Sequence, residues 1–267
     1  TTSHMVPTQF HRMLALPEEV KSRYDMSSLR RMVHAAAPCP PEVKRAMLDW
    51  WGPTIYEYYA ASEGGGTVVS PEEWLERPGT VGRPWPGSDI KIFDDESDRE
   101  CSQGDTGTVY MLLGGSDFRY HKDDKKTDDN RREGYFTVGD IGYLDEAGYL
   151  FLCDRKADMI ISGGVNIYPA EIEAVLLTHP KVADAAAFGI PHDDWGEEVK
   201  AVIEPAEAVV EGEDLAVEIL DFCQDKLAKY KRPRTIDFTR EMPRDPNGKL
   251  YKRKLRDPYW EGRERAI

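Results

Sequence analysis

Lys249 ends the run Pro243-Arg244-Asp245-Pro246-Asn247-Gly248-Lys249, on a loop held by Pro246 and Gly248. A flexible ammonium there can contact two anions at once and offset their repulsion as they meet. The plainer reading is a surface lysine after an Asn-Gly turn. Upstream, Tyr56-Glu57-Tyr58-Tyr59-Ala60-Ala61-Ser62-Glu63 combines aromatic planes, carboxylates and a hydroxyl. Tyr59 suits stacking on a flat base, and Glu57 suits accepting from that base's amino group. Ser62 suits a phosphate oxygen, and Glu63 suits Mg²⁺, a hard cation that prefers carboxylate oxygens. Read blandly, the same residues are an exposed turn after an aromatic strand. Gly64, Gly65 and Gly66 follow without Gly-Lys-Ser/Thr, so they are not a Walker loop. Ala35-Ala36-Ala37-Pro38 is a turn with no bulky side chain, against whose backbone a base can lie. The carboxylate of Asp140, in Thr137-Val138-Gly139-Asp140, can accept from both hydroxyls of a ribose, or be an ordinary turn aspartate.

The order of these segments, with Asp154-Arg155-Lys156-Ala157-Asp158-Met159-Ile160 between them and Lys249, resembles the acyl-adenylating superfamily. The resemblance covers essentially the whole chain and is nearest the fatty-acyl-CoA synthetase type. It implies joining of a carboxylic acid to AMP from ATP with Mg²⁺, then thioester formation with coenzyme A. It places Ala36, Ala37, Pro38, Glu57 and Tyr59 at adenine, Asp140 and Arg155 at ribose, and Ser62, Glu63 and Lys249 at the phosphates. It makes Ala157 a hinge, where many relatives carry aspartate or lysine, and Gly163-Gly164 the path of the pantetheine arm. Trp195 and Lys231 fall near the coenzyme A nucleotide; core packing and a solvated basic turn are their alternatives. Ala60 stands where the family has glycine. Such enzymes are usually about twice this length, so the chain resembles their C-terminal half. The missing N-terminal half, with its phosphate loop and most of the acyl tunnel, becomes the implied partner, without which the chain is expected to be inactive. Thr1-Thr2-Ser3-His4-Met5 accordingly reads as a cut inside a domain. A fatty or other bulky hydrophobic acid is the expected substrate. An adenylation domain loading a carrier protein, and a non-catalytic nucleotide- or partner-binding fragment, are the competing readings.

The elements that must hold these residues follow from pattern. Residues 1–78 alternate helix and strand: a short helix at Pro17–Tyr24, a strand at Leu29–His34, and a helix at Pro41–Trp50 presenting Val43, Ala46, Met47 and Trp50. Met5 to Leu14 reads as a hydrophobic helix or an acyl-pocket segment. From Gly79 to Cys153 short β-type runs such as Ile90–Phe93, Gly107–Leu112 and Tyr149–Leu152 suggest a small β-barrel or a curled sheet. The charged stretches Asp94–Asp105 and His121–Glu133 read as exposed loops. Helices at Pro169–Leu177 and Leu215–Lys229, with strands at Val182–Ile190, Glu198–Glu204 and Thr235–Phe238, complete an α+β tail. The fold expected is thus α/β. Residues 1–156 form the end of a large layered domain, α/β over 1–78 and β-rich over 79–156, and 157–267 form a small mobile lid.

Composition narrows the partners. A net charge of −14 disfavours general nucleic-acid or membrane-surface binding, which needs clustered positive charge. The basic runs Lys229–Arg234 and Lys249–Arg256 suit a phosphate-bearing small molecule, or are solvated helix ends. The four cysteines show no close pair and no Cys-His cluster, which predicts reduced thiols, a cytoplasmic setting and no structural metal. No apolar run has the length of a membrane span.

Overall fold

Thr2–Met5 (β1) and Arg31–His34 (β2) run parallel, with Met5 level with His34. Pro7–Leu14 (α1) and Glu18–Lys21 (α2) make the return between them. Proline opens α1, the Gln9 side chain accepts from the Val6 N–H, and Phe10 is buried completely. The computed structural model describes residues 1–114, 118–245 and 249–263 of the chain, which divides into two compact units, Thr1–Cys153 and Asp154–Ile267.

In the first unit Pro41–Trp51 (α3) packs Val43, Met47, Leu48 and Trp51 against Phe10, Met32, Ile55, Val69 and Trp74. The buried arc is turned from the expected one: Ala46 and Trp50 are only half-buried, while Lys44 is fully inside. Ile55–Ala60 (β3) lies parallel to β2 and antiparallel to Gly66–Val69 (β4). Pro71–Glu76 (α4), with a Ser70/Glu73 capping box, leads to Thr80–Pro84 (β5). Gly82 there has φ +97°, and any Cβ would sit 2.0 Å from the Val68 carbonyl oxygen.

The β-rich stretch contains Ser88–Asp94 (β6), Arg99–Glu100 (β7), Gly107–Leu113 (β8), Asp124–Asp129 (α5), Arg131–Arg132 (β9), Tyr135–Phe136 (β10), Asp140–Leu144 (β11) and Leu150–Arg155 (β12). The strand path is β1-β2-β3-β4-β5-β12-β11-β8-β10-β9, with β6 also on β8 and β7 on β6. Among the described residues this is an open sheet continuous with the first, so the curled-sheet alternative describes it better than a closed barrel. The two charged loops are partly ordered. Asp123 caps α5 by accepting from the Lys126 N–H, and β7 pairs with Phe93 and Asp94.

The second unit begins with Ile160–Ser162 (β13) and Val165–Ile167 (β14), a hairpin turning at Gly163-Gly164. Pro169–Leu176 (α6), Val182–His192 (β15), Gly196–Pro205 (β16), Glu213–Phe222 (α7) and Thr235–Phe238 (β17) follow. β16 pairs along β15 on one edge and with β13 and β17 on the other. Period-two alternation in β15 gives the sheet two apolar faces. Ala185 and Ala187 join Ile172, Leu176, Leu215 and Ile219 under the helices, while Ala186 and Phe188 meet Met242, Leu250 and Leu255 opposite. That second face holds the chain's last segment, which continues into Lys252–Arg256 (α8).

Candidate active site

His34 and Glu57 are register partners on the parallel strands β2 and β3, so the turn leaving β2 and the end of β3 emerge side by side. Ala35-Ala36-Ala37-Pro38 forms that turn, with Ala35 buried, Ala36 and Pro38 exposed, and Ala36 left-handed at φ 73°. Ala60 is not among the residues with positive φ and pairs with Gly66 as an ordinary strand residue. Beyond it the Gly64 N–H donates to the Ala61 carbonyl and closes a turn with Ser62 exposed. Gly66 is required by close approach, since a Cβ would meet the Tyr59 carbonyl oxygen at 2.3 Å.

Two tyrosines engage the carboxylates singled out for nucleotide and metal. The Tyr59 hydroxyl donates to Asp140 Oδ2 at 2.6 Å, across 81 residues of sequence. Asp140 opens β11 after Gly139 at φ 82°, instead of closing a strand, and is buried. The Tyr120 hydroxyl donates to Glu63 Oε1 at 2.6 Å. Burial and that hydrogen bond push the Tyr120 hydroxyl up to about 12. Tyr120 lies at the edge of a charged, loop-like stretch with no periodicity, and nothing in its sequence setting marks it. Among the described residues no three His, Cys, Asp or Glu side chains converge as a metal cage. A single carboxylate beside an exposed hydroxyl fits Mg²⁺, which keeps waters and takes further oxygens from phosphates.

Glu57 requires a correction. The residue is 7% exposed, and Oε2 accepts from Lys44 Nζ at 2.6 Å with His34 Nε2 in contact at 3.3 Å. Both neighbours are completely buried. Alternation along β3 turns position 57 inward together with Ile55, so this acceptor is committed inside the protein and is not presented to an adenine amino group. Burial alone raises the Glu57 carboxyl, but His34 and Lys44 more than offset it and hold it below the usual carboxylate range. Burial lowers both His34 and Lys44 against the pull of Glu57.

In the second unit Arg155 is exposed at the end of β12, and Ala157 lies in the 3₁₀ turn Lys156–Asp158. Gly163 and Gly164 have φ of 58° and 79°, which the hairpin requires. The Gly163 N–H donates to the Trp195 carbonyl at 2.9 Å. Trp195 is 42% exposed, stacks on His192 at 4.4 Å, and carries the Arg234 guanidinium 5.0 Å from its ring centre. The glycine turn and an aromatic–basic surface are therefore adjacent. Lys231, by contrast, donates to Glu171 Oε2 at 2.6 Å, and Arg234 is the cation beside Trp195.

Lys249 is exposed, next to an antiparallel bridge between Arg244 and Leu250. The Asp245 N–H donates to the Lys249 carbonyl and the Lys249 N–H to Asp245 Oδ1. Arg244 forks onto Asp184 of β15 at 2.6 and 2.7 Å, anchoring this bridge to the sheet. Pro246 and Gly248, named as holding this loop, lie outside the described residues.

Comparison with known proteins adds the family context. Residues 1–114 match the model described as AMP-binding enzyme, and residues 171–249 match that of the AMP-binding enzyme C-terminal domain. The chain is 34% identical over 261 residues to the 2-succinylbenzoate–CoA ligase of Bacillus licheniformis, covering 96% of this chain and 51% of that protein. It is 32% identical over 251 residues to a long-chain-fatty-acid–CoA ligase of Bacillus subtilis, covering 93% and 44%. The o-succinylbenzoate coenzyme A synthetase of Bacillus subtilis, solved with ATP and magnesium ion, superposes with a TM-score of 0.80 at 30% identity, covering 96% of this chain and 51% of that one. The chain thus spans about half the length of the curated relatives it matches.

Proposed function

Since the chain belongs to the AMP-binding enzyme family, we propose that it serves as the C-terminal half of an ATP-dependent acid–coenzyme A ligase. The observation that carries this reading is the meeting of Tyr59 with Asp140 beside the small-residue turn, because an aromatic plane and a buried carboxylate side by side suit a base and its ribose. Ala36, Ala37 and Pro38 supply a flat wall for the base, and Asp140 accepts from the ribose hydroxyls. Ser62 holds a phosphate oxygen. Glu63, oriented by Tyr120, holds Mg²⁺, which draws charge from the departing pyrophosphate when bound.

In the first half-reaction a carboxylate oxygen bonds to the α-phosphorus of ATP and the bond to the β-phosphate oxygen breaks, giving acyl-AMP and pyrophosphate. Lys249 neutralises the two anions as they approach, and Arg155 adds positive charge for the nucleotide. In the second, the sulfur of coenzyme A bonds to the acyl carbon, AMP leaves, and the thiol proton passes to solvent. Gly163-Gly164 leaves room for the pantetheine arm, while Trp195 and Arg234 offer a face and a charge to the coenzyme A nucleotide. The acid is a carboxylate with a bulky hydrophobic body, fatty or aromatic, in keeping with the two kinds of ligase among the relatives.

The test is ATP–pyrophosphate exchange by the full-length protein over a panel of carboxylates, followed by addition of free coenzyme A. Exchange with bulky hydrophobic acids and release of a thioester are expected. Exchange without thioester would replace this reading with carrier-protein loading. No exchange with any acid would leave a nucleotide-binding module.

A further inference from the structure

We propose that Glu57, Lys44 and His34 form a buried positioning cluster that sets the distance between the two walls of the adenine pocket. This rests on the nucleotide site proposed above. The Ala35–Pro38 wall leaves the sheet directly after His34, and the chain then enters α3, whose first turns carry Lys44. Both ends of that loop therefore meet one atom, Glu57 Oε2, at 3.3 Å from His34 Nε2 and 2.6 Å from Lys44 Nζ. Glu57 stands two residues before Tyr59, the other wall, on the same strand. One carboxylate thus ties the exit of the first wall to the base of the second through the Lys44 hydrogen bond, and touches the His34 imidazole at its entrance.

Two further observations favour positioning over simple stability. Ala36 is left-handed at φ 73°, a conformation that an L-residue keeps only when its surroundings over-determine it. Lys44 is 0% exposed, with Nζ 4.9 Å from the Trp74 ring centre. A buried ion pair returns little net stability compared with apolar residues of the same volume, so the fold alone does not require these charges. A pocket wall held in a strained turn gains from a fixed, directional tether.

The double substitution Lys44→Met/Glu57→Leu in the full-length protein removes both charges and keeps the volume. It should melt close to the wild type, yet raise KM for ATP about tenfold and lower the preference for ATP over GTP, leaving KM for the acid and for coenzyme A unchanged. Glu57→Gln keeps the shape and an acceptor for Lys44, and should give a smaller rise in KM for ATP. It also serves if the double variant does not fold. An unchanged KM for ATP and an unchanged ATP/GTP preference in either folded variant overturn the cluster's positioning role alone. A wild-type protein that binds no ATP overturns both this proposal and the nucleotide site beneath it.

Discussion

Lys249→Ala separates the two half-reactions at the level of one side chain. Removing the ammonium leaves carboxylate and phosphate repelling each other, so acyl-AMP formation should be abolished while thioester formation from supplied acyl-AMP is largely spared. Rapid-quench assays of each half-reaction measure this, and equal loss of both would reject the role. His34 gives a second prediction, in pH. Burial holds its imidazole below the ordinary value of 6.5, so in the acid range the unfolded chain binds more protons than the folded one. Stability then rises with pH up to about that value and falls as pH drops beneath it. The melting temperature should decline on acidification from pH 7 towards 5, and less steeply in His34→Gln. Parallel slopes in the two proteins would mean that His34 does not titrate as described. The ligand-type residues were legible as residue types, because a hydroxyl, a carboxylate or an ammonium has few chemistries. The inward turn of Glu57 was not, because its partners His34 and Lys44 meet it only through parallel strand register and a helix face. Tyr120 was hidden for the same reason, since its bond to Glu63 spans 57 residues.

Among the elements, the hairpin of β13 and β14 presents Gly163 and Gly164 next to Trp195. A Cβ at position 163 would meet only Trp195 Cδ1, at 4.0 Å, so backbone conformation, not crowding, demands glycine there. A larger side chain would still project towards the tryptophan. Gly163→Leu should therefore spare ATP–pyrophosphate exchange and block transfer to coenzyme A, seen as acyl-AMP accumulating without thioester. Normal thioester turnover would remove the glycine turn from the site. Proline starts and apolar spacing made α3, α6 and β17 readable, and Thr235–Phe238 has the ends read from sequence. The face of α3 was misjudged because a lysine on an amphipathic helix reads as solvent-facing, and nothing local reveals a buried glutamate across from it. Helix α5 escaped notice because it is built almost wholly of charged residues, and its Asp123 cap and Lys125–Asp129 pair replace the apolar stripe that pattern reading needs.

For the molecule as a whole, each unit holds only some of the groups proposed for the chemistry: Tyr59, Ser62, Glu63 and Asp140 lie in the first, Arg155, Gly163 and Lys249 in the second. The chain also matches about half the length of its curated relatives. Residues 1–267 on their own should give no ATP–pyrophosphate exchange, whereas the full-length protein should. Exchange by the isolated chain at the full-length rate would show that these two units suffice. No helix among the described residues is long and apolar enough to cross a membrane. The strand path of the first unit has a mechanical corollary. Its hydrogen-bonded route from the turn after β2 to Asp140 passes through β5, Thr80–Pro84, pressed against Val68 at Gly82. A pull along the strands would load in shear the short pairing of β5 with β12, where Gly82 and Thr80 lie level with Leu150 and Phe151.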